Sequence, residues 1–326
     1  MKILVTGGAG FIGSNFIRYT LQNYPEYEII NIDKLTYCGN LDNLKEIENH
    51  PNYKFVQGDI CDEQVVNDIM QNVDIVVHFA AESHVDNSIK DPFIFTKTNV
   101  IGTHILLEAA RKNNIKRFLH ISTDEVYGSL KSDSQSSVET DNLDPRSPYS
   151  ASKAAAEHIV RAYFETYKLP VVITRSSNNY GPYQYPEKLI PLFTTNLIDG
   201  KKVPLMWSDD NPGMNIRDWL HVIDNCRAFH IVLEKGELGE IYNVAGENER
   251  TNLKITRGIL SNFNYGDEMI QRVEHRKGHD FRYSVNCDKL KKLGFVHKYK
   301  DFESGLKQTV QWYKDNDQWW RKLKKF

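Results

Sequence analysis

Along the first half of the chain, short uninterrupted apolar runs alternate with longer segments in which apolar positions recur every three or four residues. The runs Lys2–Thr6, Glu28–Ile32, Lys54–Gln57, Ile75–Phe79, Phe118–Ser122 and Val171–Thr174 have the length of strands. Runs this apolar, without polar alternation, mark strands covered on both faces. The segments Phe11–Asn23, Glu63–Gln71, Pro92–Asn113 and Ser150–Lys168 carry helical spacing. Together they predict a parallel sheet with helices on each side. Right-handed crossovers then leave essentially one architecture, a doubly wound α/β fold.

After Arg175 the rhythm is lost. Ser176–Pro191 contains Asn178-Asn179-Tyr180-Gly181-Pro182 and two further prolines, and reads as a loop leading into a helix. The elements beyond it follow no regular strand–helix order. They predict a smaller α/β C-terminal lobe that covers the main sheet and holds a substrate against it. Asp218–Ala245 is expected to return to the main sheet, so this lobe is partly discontinuous. The cofactor domain is then residues 1–176 plus about 218–245, and the substrate lobe about 177–217 and 246–326. The serine-rich Lys131–Ser137 reads as a surface loop.

A chain of 326 residues that is 40% hydrophobic can bury one large core or two unequal ones. Its 41 Lys+Arg and 43 Asp+Glu nearly cancel, which argues against a nucleic-acid surface or a polybasic membrane patch. No apolar run approaches the roughly 20 residues of a membrane span. The chain opens on a strand rather than a signal peptide, so a cytoplasmic protein is expected. Cys38, Cys61, Cys226 and Cys287 are scattered, with no Cys-x-x-Cys or His-x-His pattern, and are expected to be reduced thiols that bind no metal. The basic end Arg321–Phe326 is expected to be frayed and solvated.

Chemistry first shows at Gly7-Gly8-Ala9-Gly10-Phe11-Ile12-Gly13, between the first strand and the first helix. Gly7, Gly10 and Gly13 let the backbone turn and approach a pyrophosphate, which rests with Phe11 and Ile12 at the positive end of the helix. This is the fingerprint of a Rossmann domain. Asp33 lies 20 residues beyond Gly13, where a carboxylate binds ribose hydroxyls and repels a 2′-phosphate. NAD is therefore expected over NADP, although the neighbouring Lys34 could soften that preference. Asp59 and Ile60 suit the adenine edge, and Ala80, Ala81 and Glu82 the pyrophosphate and nicotinamide ribose.

A second constellation follows. Ser147 and Pro148 start a helix that puts Tyr149 and Lys153 on one face. A nearby ammonium favours the phenolate a base requires. Ser122-Thr123-Asp124-Glu125-Val126-Tyr127-Gly128 closes a strand close to this pair, with Thr123 able to share a substrate hydroxyl with Tyr149. A dehydrogenase or a 4-epimerase uses the tyrosine and lysine but has no role for adjacent carboxyls. Elimination of water from an oxidised sugar uses both. A ketone at C4 acidifies the C5 proton, Glu125 removes it, and a protonated Asp124 protonates the departing C6 hydroxyl. A 4-epimerase, a UDP-uronate decarboxylase and a non-catalytic cofactor-binding regulator are the competing readings.

Gly7–Gly13 with Tyr149 and Lys153 resembles the extended short-chain dehydrogenase/reductase superfamily. Within it, the segments 33–37, 78–86, 122–128, 177–184 and 187–191 resemble the dTDP-glucose 4,6-dehydratase family of deoxysugar biosynthesis, rhamnose included. The likeness runs from Met1 to about Pro191 and more loosely to about Tyr283. It implies a lyase that forms dTDP-4-keto-6-deoxyglucose on a retained NAD, in a homodimer packed through Pro92–Asn113 and Ser150–Lys168. It adds cofactor contacts at Lys34, Thr36, Thr98, Ser122 and Asn178, and sugar or diphosphate contacts at Ser83, His84 and Asn179. Glu187 and Lys188 would begin a helix near the nucleotide, with Asn196 three turns along. Arg217 would bind phosphate, and Arg276, His279 and Tyr283 would close over the nucleotide. The chain departs from the family at Met206–Met214, which replaces a short Tyr-Gly-Asp-Gly turn, and at His275, Lys277 and Phe281. Those changes leave the base open between thymidine and another nucleotide.

Overall fold

The apolar runs pair side by side in the computed structural model, which describes residues 1–275 and 278–324. Strand β1 (Lys2–Thr6) leads through the glycine loop into α1 (Phe11–Asn23), and β2 (Glu28–Asp33) through a 3-10 stretch (Leu41–Ile47) into β3 (Tyr53–Gln57). Helix α2 (Glu63–Met70) precedes β4 (Ile75–His78). Helices α3 (Val85–Lys90), α4 (Pro92–Phe95) and α5 (Thr103–Lys112) come before β5 (Arg117–Thr123). Helix α6 (Pro148–Tyr167) precedes β6 (Val171–Ser176) and β7 (Asn178–Tyr180). Then come α7 (Leu189–Ile198), β8 (Val203–Met206), β9 (Ile216–His221), α8 (Val222–Lys235), β10 (Ile241–Val244) and β11 (Glu249–Thr251). The chain ends through α9 (Asn252–Ser261), β12 (Ile270–Val273), α10 (Asp288–Lys292), α11 (Phe302–Asp315) and α12 (Asp317–Arg321).

Seven strands form one parallel sheet in the order β10-β6-β5-β4-β1-β2-β3. One face buries Phe16 and Ile17 of α1 with Val222, Phe229 and Val232 of α8. The other buries Val66 and Met70 of α2, Leu106 and Leu107 of α5 and Val160 and Tyr163 of α6. With both faces covered, the strands can be apolar throughout, as their sequences are. Strand order reverses between β1 and β4, and the cleft beyond the carboxyl ends at such a point is where open sheets bind ligands.

The smaller lobe contains the sheet β11-β9-β7 and the pair β12-β8. Its core is Tyr180, Phe193, Trp219, Ile259, Phe302 and Leu306. The expected return to the main sheet over about 218–245 is carried by α8 and β10. Strand β9 stays in the small sheet, where Trp219 packs into the lobe's core.

Two other expectations change. The helix over 92–113 is interrupted by a π-helical turn over Thr96–Gly102, a feature that concentrates at functional sites. From Arg321 to Lys324 the C-terminal end is docked rather than frayed, and Lys325 and Phe326 lie outside the described residues. Arg321 and Lys324 reach Asp199 at 2.8 and 2.9 Å, and Lys322 reaches Asp42 at 3.0 Å. Tyr185 donates to the Leu323 carbonyl at 3.1 Å, and Trp319 Nε1 donates to Asn43 Oδ1 at 2.8 Å. Asn43 in turn donates to the Ala9 carbonyl in the glycine loop at 2.8 Å. The tail's basic charge finds acidic partners, and its tryptophans find apolar cover against Tyr183 and Ile198. No helix among the described residues is long and apolar enough to cross a membrane. All four cysteines are free thiols.

Trp320 is fully buried and donates to the Tyr313 carbonyl at 2.8 Å. Trp320→Ala is expected to cost about 3–5 kcal/mol in urea unfolding, whereas a frayed tail would make the substitution neutral.

Candidate active site

A cavity of about 320 Å³ opens at the carboxyl ends of β1, β2, β4, β5 and β6. Every residue expected from the sequence to touch the cofactor borders it: Gly7, Gly10, Phe11, Ile12 and Gly13; Asp33, Lys34 and Thr36; Asp59 and Ile60; Ala80, Ala81 and Glu82; and Thr98, Ser122, Tyr149, Lys153 and Asn178. The glycine loop cannot carry side chains at its tightest points. A Cβ on Gly7, whose φ is 71°, would lie 2.6 Å from Ala80 N, and one on Gly13 would lie 2.5 Å from the Gly7 carbonyl oxygen. Asp33 ties the loop to β2, its carboxylate accepting from Ala9 N at 2.9 Å and Leu35 N at 2.8 Å. Burial still raises its pKa, against those two bonds. Lys34 is occupied by Asp59 at 2.7 Å. Ser122 Oγ, Asp124 Oδ2, Asn178 Oδ1 and Gln184 Oε1 are buried along this cavity without a hydrogen-bond partner in the protein. Unsatisfied polar atoms in that setting fit a polar ligand, and a cradle shaped by missing Cβ atoms fits a dinucleotide.

The reactive end sits where β5 stops. Thr123 closes the strand and caps a 3-10 turn over Asp124–Tyr127, accepting from Glu125 N at 3.3 Å. Gly128, at φ 80°, ends the turn. The 3-10 turn holds Asp124 inward, 3% exposed, and leaves Glu125 half-buried at the cavity. Burial, then the neighbouring Glu125 and Asp218 carboxyls, lift Asp124 well above the ordinary carboxyl range, against Arg217 and a hydrogen bond from Thr123. A carboxyl shifted in this direction is suited to hold a proton and to donate it.

Ser147 caps α6 and accepts from Ser150 N at 3.1 Å, and Pro148 fills the first turn. Tyr149 and Lys153 are thereby presented to the cavity from one helix face. Burial and Glu125 push the Tyr149 phenol above its usual value, while Thr123 acts in the other direction through a hydrogen bond. This corrects the expectation that the ammonium lowers it: Lys153 Nζ donates instead to the Ile121 carbonyl at 2.6 Å. Burial brings Lys153 down to about 8, with Glu157 opposing. Below Lys153 lie two buried histidines. His78 is lowered to about 3 by burial and then by Lys153, and it is held by Thr6 at 2.7 Å and Thr103 at 2.9 Å. His120 is lowered by burial, Lys153 and His78. Both are neutral, so the lysine carries the cationic charge at that point.

Ser83, Thr123, Asn179, Glu187 and Lys188, expected at the nucleotide sugar, also border the cavity. Lys188 donates to the Ser83 carbonyl at 3.2 Å, and Glu187 accepts from Tyr37 at 3.0 Å and lies 4.0 Å from His84. The helix there begins at Leu189, with Lys188 as its flanking residue. Asn196 bonds the Lys202 carbonyl at 3.1 Å. His84, Arg217, His279 and Tyr283 stand outside the cavity lining. Arg217 lies over the Tyr283 ring at 4.3 Å, and His279 faces His275 at 3.0 Å. Arg276 lies outside the described residues.

Sequence reasoning missed Asn99. Set in the π-helical turn, it accepts from Glu82 N at 2.8 Å and donates to the Glu82 carbonyl at 3.0 Å and to Ser152 at 2.8 Å. It thus ties the end of β4 to the helix carrying Tyr149 and Lys153. Its one signal is an asparagine in mid-helix, a position that residue disfavours. Gln184 and Tyr185 border the cavity and were missed as well.

A family model described as GDP-mannose 4,6 dehydratase matches residues 4–309. The dTDP-glucose 4,6-dehydratase of Streptomyces niveus is 49% identical over 99% of this chain and 96% of its own. The crystal structure of DesIV, a dTDP-glucose 4,6-dehydratase from Streptomyces venezuelae solved with NAD bound, superposes with a TM-score of 0.95 at 48% identity, over 99% of this chain and 100% of its own. A UDP-glucose 4-epimerase of Thermotoga maritima is more distant, with a TM-score of 0.88 at 31% identity over 97% and 99% of the two chains.

The protonated state of Asp124 has a stability signature. In the unfolded chain the carboxyl ionises near about 4, and in the folded chain much higher. Between those values folding takes up a proton, so the group's contribution to stability falls as pH rises, and the penalty is absent below about 4. Asp124→Asn is therefore expected to unfold at higher urea than the parent at pH 7, with the gap narrowing at pH 5. An equal gap at both pH values would contradict the raised pKa.

Proposed function

The chain belongs to the GDP-mannose 4,6-dehydratase family, and within it we propose that this enzyme dehydrates dTDP-glucose to dTDP-4-keto-6-deoxyglucose. The observation that carries the reading is the adjacent Asp124 and Glu125 at the end of β5, lining the same cavity as Tyr149 and Lys153, with burial raising the Asp124 carboxyl.

NAD, bound in the glycine cradle, supplies the oxidation at C4 and the matching reduction at C6, so none is consumed. Tyr149, as its phenolate and sharing the C4 hydroxyl with Thr123, takes its proton and becomes the neutral phenol, with the Lys153 ammonium as the cation on the same helix face. With a ketone at C4, the C5 proton becomes acidic and passes to Glu125. As the C5–C6 double bond forms, the C6 hydroxyl leaves as water with the proton that Asp124 gives it. Glu125 returns a proton to C5 when C6 is reduced, and Tyr149 restores the proton of Asp124 through exchange in the site. The proton lost at C4 and the hydroxyl lost at C6 account for one water. Asp33, with Lys34 engaged by Asp59, supports NAD over NADP. Residues 1–176 with α8 and β10 serve the cofactor, and the rest, with Ser83, His84, Asn179, Glu187, Lys188, Arg217, Arg276, His279 and Tyr283, serves the nucleotide sugar. The enzyme works in the cytoplasm and feeds deoxysugar synthesis of the rhamnose type.

It acts as a homodimer. Phe93 is 73% exposed on α4, Ile89 42% on α3, Ile101 48% in the π-helical turn and Tyr167 54% at the end of α6. Large apolar groups exposed on these adjoining helical elements support a packed interface there.

With dTDP-glucose, the product is expected to be lighter by one water with no net reduction of cofactor. Glu125→Gln should keep C4 oxidation while slowing water loss by roughly a hundredfold or more, as mass spectrometry and nicotinamide fluorescence would report. An unchanged mass with the hexose epimerised would make it an epimerase, and faster turnover of UDP-glucose would reassign the nucleotide. Sedimentation at micromolar concentration is expected to give a dimer, and a monomer there would remove the interface.

A further inference from the structure

Beneath the cavity, and outside its lining, runs a buried polar chain that the reaction does not use directly. Arg175, near the end of β6, is 3% exposed and places its fork on Glu157 of α6, also 3% exposed. Nε lies 3.1 and 3.0 Å from the two carboxylate oxygens, and Nη2 donates at 2.6 Å. The other arm, Nη1, donates to the Tyr127 hydroxyl at 2.7 Å, and the guanidinium lies over the Tyr127 ring at 4.6 Å. Tyr127 in turn donates a hydrogen bond to Asn243 Oδ1 on β10 at 2.8 Å.

The two ends of this chain belong to the two halves of the chemistry. Glu157 follows Lys153 by four residues and Tyr149 by eight, on one face of α6, so fixing Glu157 fixes the helix that presents the oxidising pair. Tyr127 ends the 3-10 turn that presents Asp124 and Glu125. Arg175 is also paired with Ser122 across β5 and β6, directly below the start of that turn. A buried ion pair is a poor device for stability, since apolar side chains of similar volume serve as well or better. A planar fork does give fixed direction at both arms.

We propose that the Glu157–Arg175–Tyr127 chain holds the oxidising pair, Tyr149 and Lys153, in register with the eliminating pair, Asp124 and Glu125. The inference rests on the dehydratase reading. Glu157, Arg175 and Tyr127 are positioning residues: none borders the cavity, Glu157 and Tyr127 act through the catalytic groups on their own elements, and Arg175 acts through those two. The two steps share one substrate pose, because the ketone made at C4 must already sit where Glu125 faces C5. Displacements of the order of 1 Å between such groups cost up to about a hundredfold in rate.

Single-turnover kinetics on the holoenzyme with dTDP-glucose test this, with nicotinamide fluorescence following oxidation and rapid-quench mass spectrometry following water loss. Tyr127→Phe removes one hydroxyl and leaves the ion pair. It is expected to oxidise C4 at the parent rate, to lose water roughly tenfold more slowly with KM unchanged, and to show faster amide exchange over residues 124–127. The double variant Glu157→Gln with Arg175→Gln removes the pair without stranding a buried charge, and should slow both phases. Parent-like phases in Tyr127→Phe, or losses in both variants that merely track the unfolded fraction by circular dichroism, would overturn the proposal. A parent protein that loses no water from dTDP-glucose would instead overturn the dehydratase reading beneath it.

Discussion

Ionisable groups must be kept buried in and beneath the cleft at the ends of β5 and β6, and much of the structure answers to that constraint. Asp124, Lys153, Glu157 and Arg175 are each 5% exposed or less. Each is tolerable only because another group limits its cost: Asp124 keeps a proton, Lys153 leans on the Ile121 carbonyl, and Glu157 is matched by Arg175. A parallel sheet makes this possible. Its strands end together, its carbonyls and helix N-termini point into one crevice, and both faces are sealed by helices. The same burial that tunes Asp124 as an acid and brings Lys153 to about 8 makes the region costly to fold. That cost is characteristic of a site arranged for chemistry rather than for stability.

Keeping the crevice closed is a second demand, met from the far end of the chain. Trp319 reaches Asn43, and Asn43 reaches Ala9 of the glycine loop. Arg18 of α1 stacks over Tyr183 at 3.8 Å, and Tyr183 packs on Trp312 and Trp319 with ring centroids 4.6 and 5.7 Å apart. Aromatic contacts and two hydrogen bonds therefore link the last helices of the smaller lobe to the loop that approaches a pyrophosphate. A cofactor that must survive successive steps without release is served by such a tie between the lobes.

The segments that depart from the family's pattern are joined to one another. His275 bonds the Asn211 carbonyl at 3.1 Å through Nε2 and faces His279 at 3.0 Å through Nδ1, and Asn211 donates to Asn215 Oδ1 at 3.0 Å. Trp207 receives Arg272 over its ring at 4.3 Å. The 206–214 stretch, which stands where the family's short turn is expected, is thus bonded to His275 at the start of the other altered segment.

Local rules acting on local sequence were enough for the doubly wound sheet, the glycine cradle, Asp33, the Tyr149–Lys153 helix face and the Asp124–Glu125 pair. Strand apolarity, turn glycines, a capped helix start and i,i+4 spacing are each written within a few neighbouring residues. The π-helical turn that turns Asn99 toward Glu82 and Ser152 was not legible, nor was the docking of a basic tail onto Asp199. The same holds for the bonding of Lys153 to Ile121 rather than to the phenol, and for the Glu157–Arg175–Tyr127 chain. Each depends on a partner tens to hundreds of residues away, and on burial, which is a property of the packed molecule. Residue types and their spacing therefore determined which chemistry this protein can do. Only the tertiary structure decided which of its charges keep their protons and which are paired, because desolvation and distance exist only once the lobes have closed.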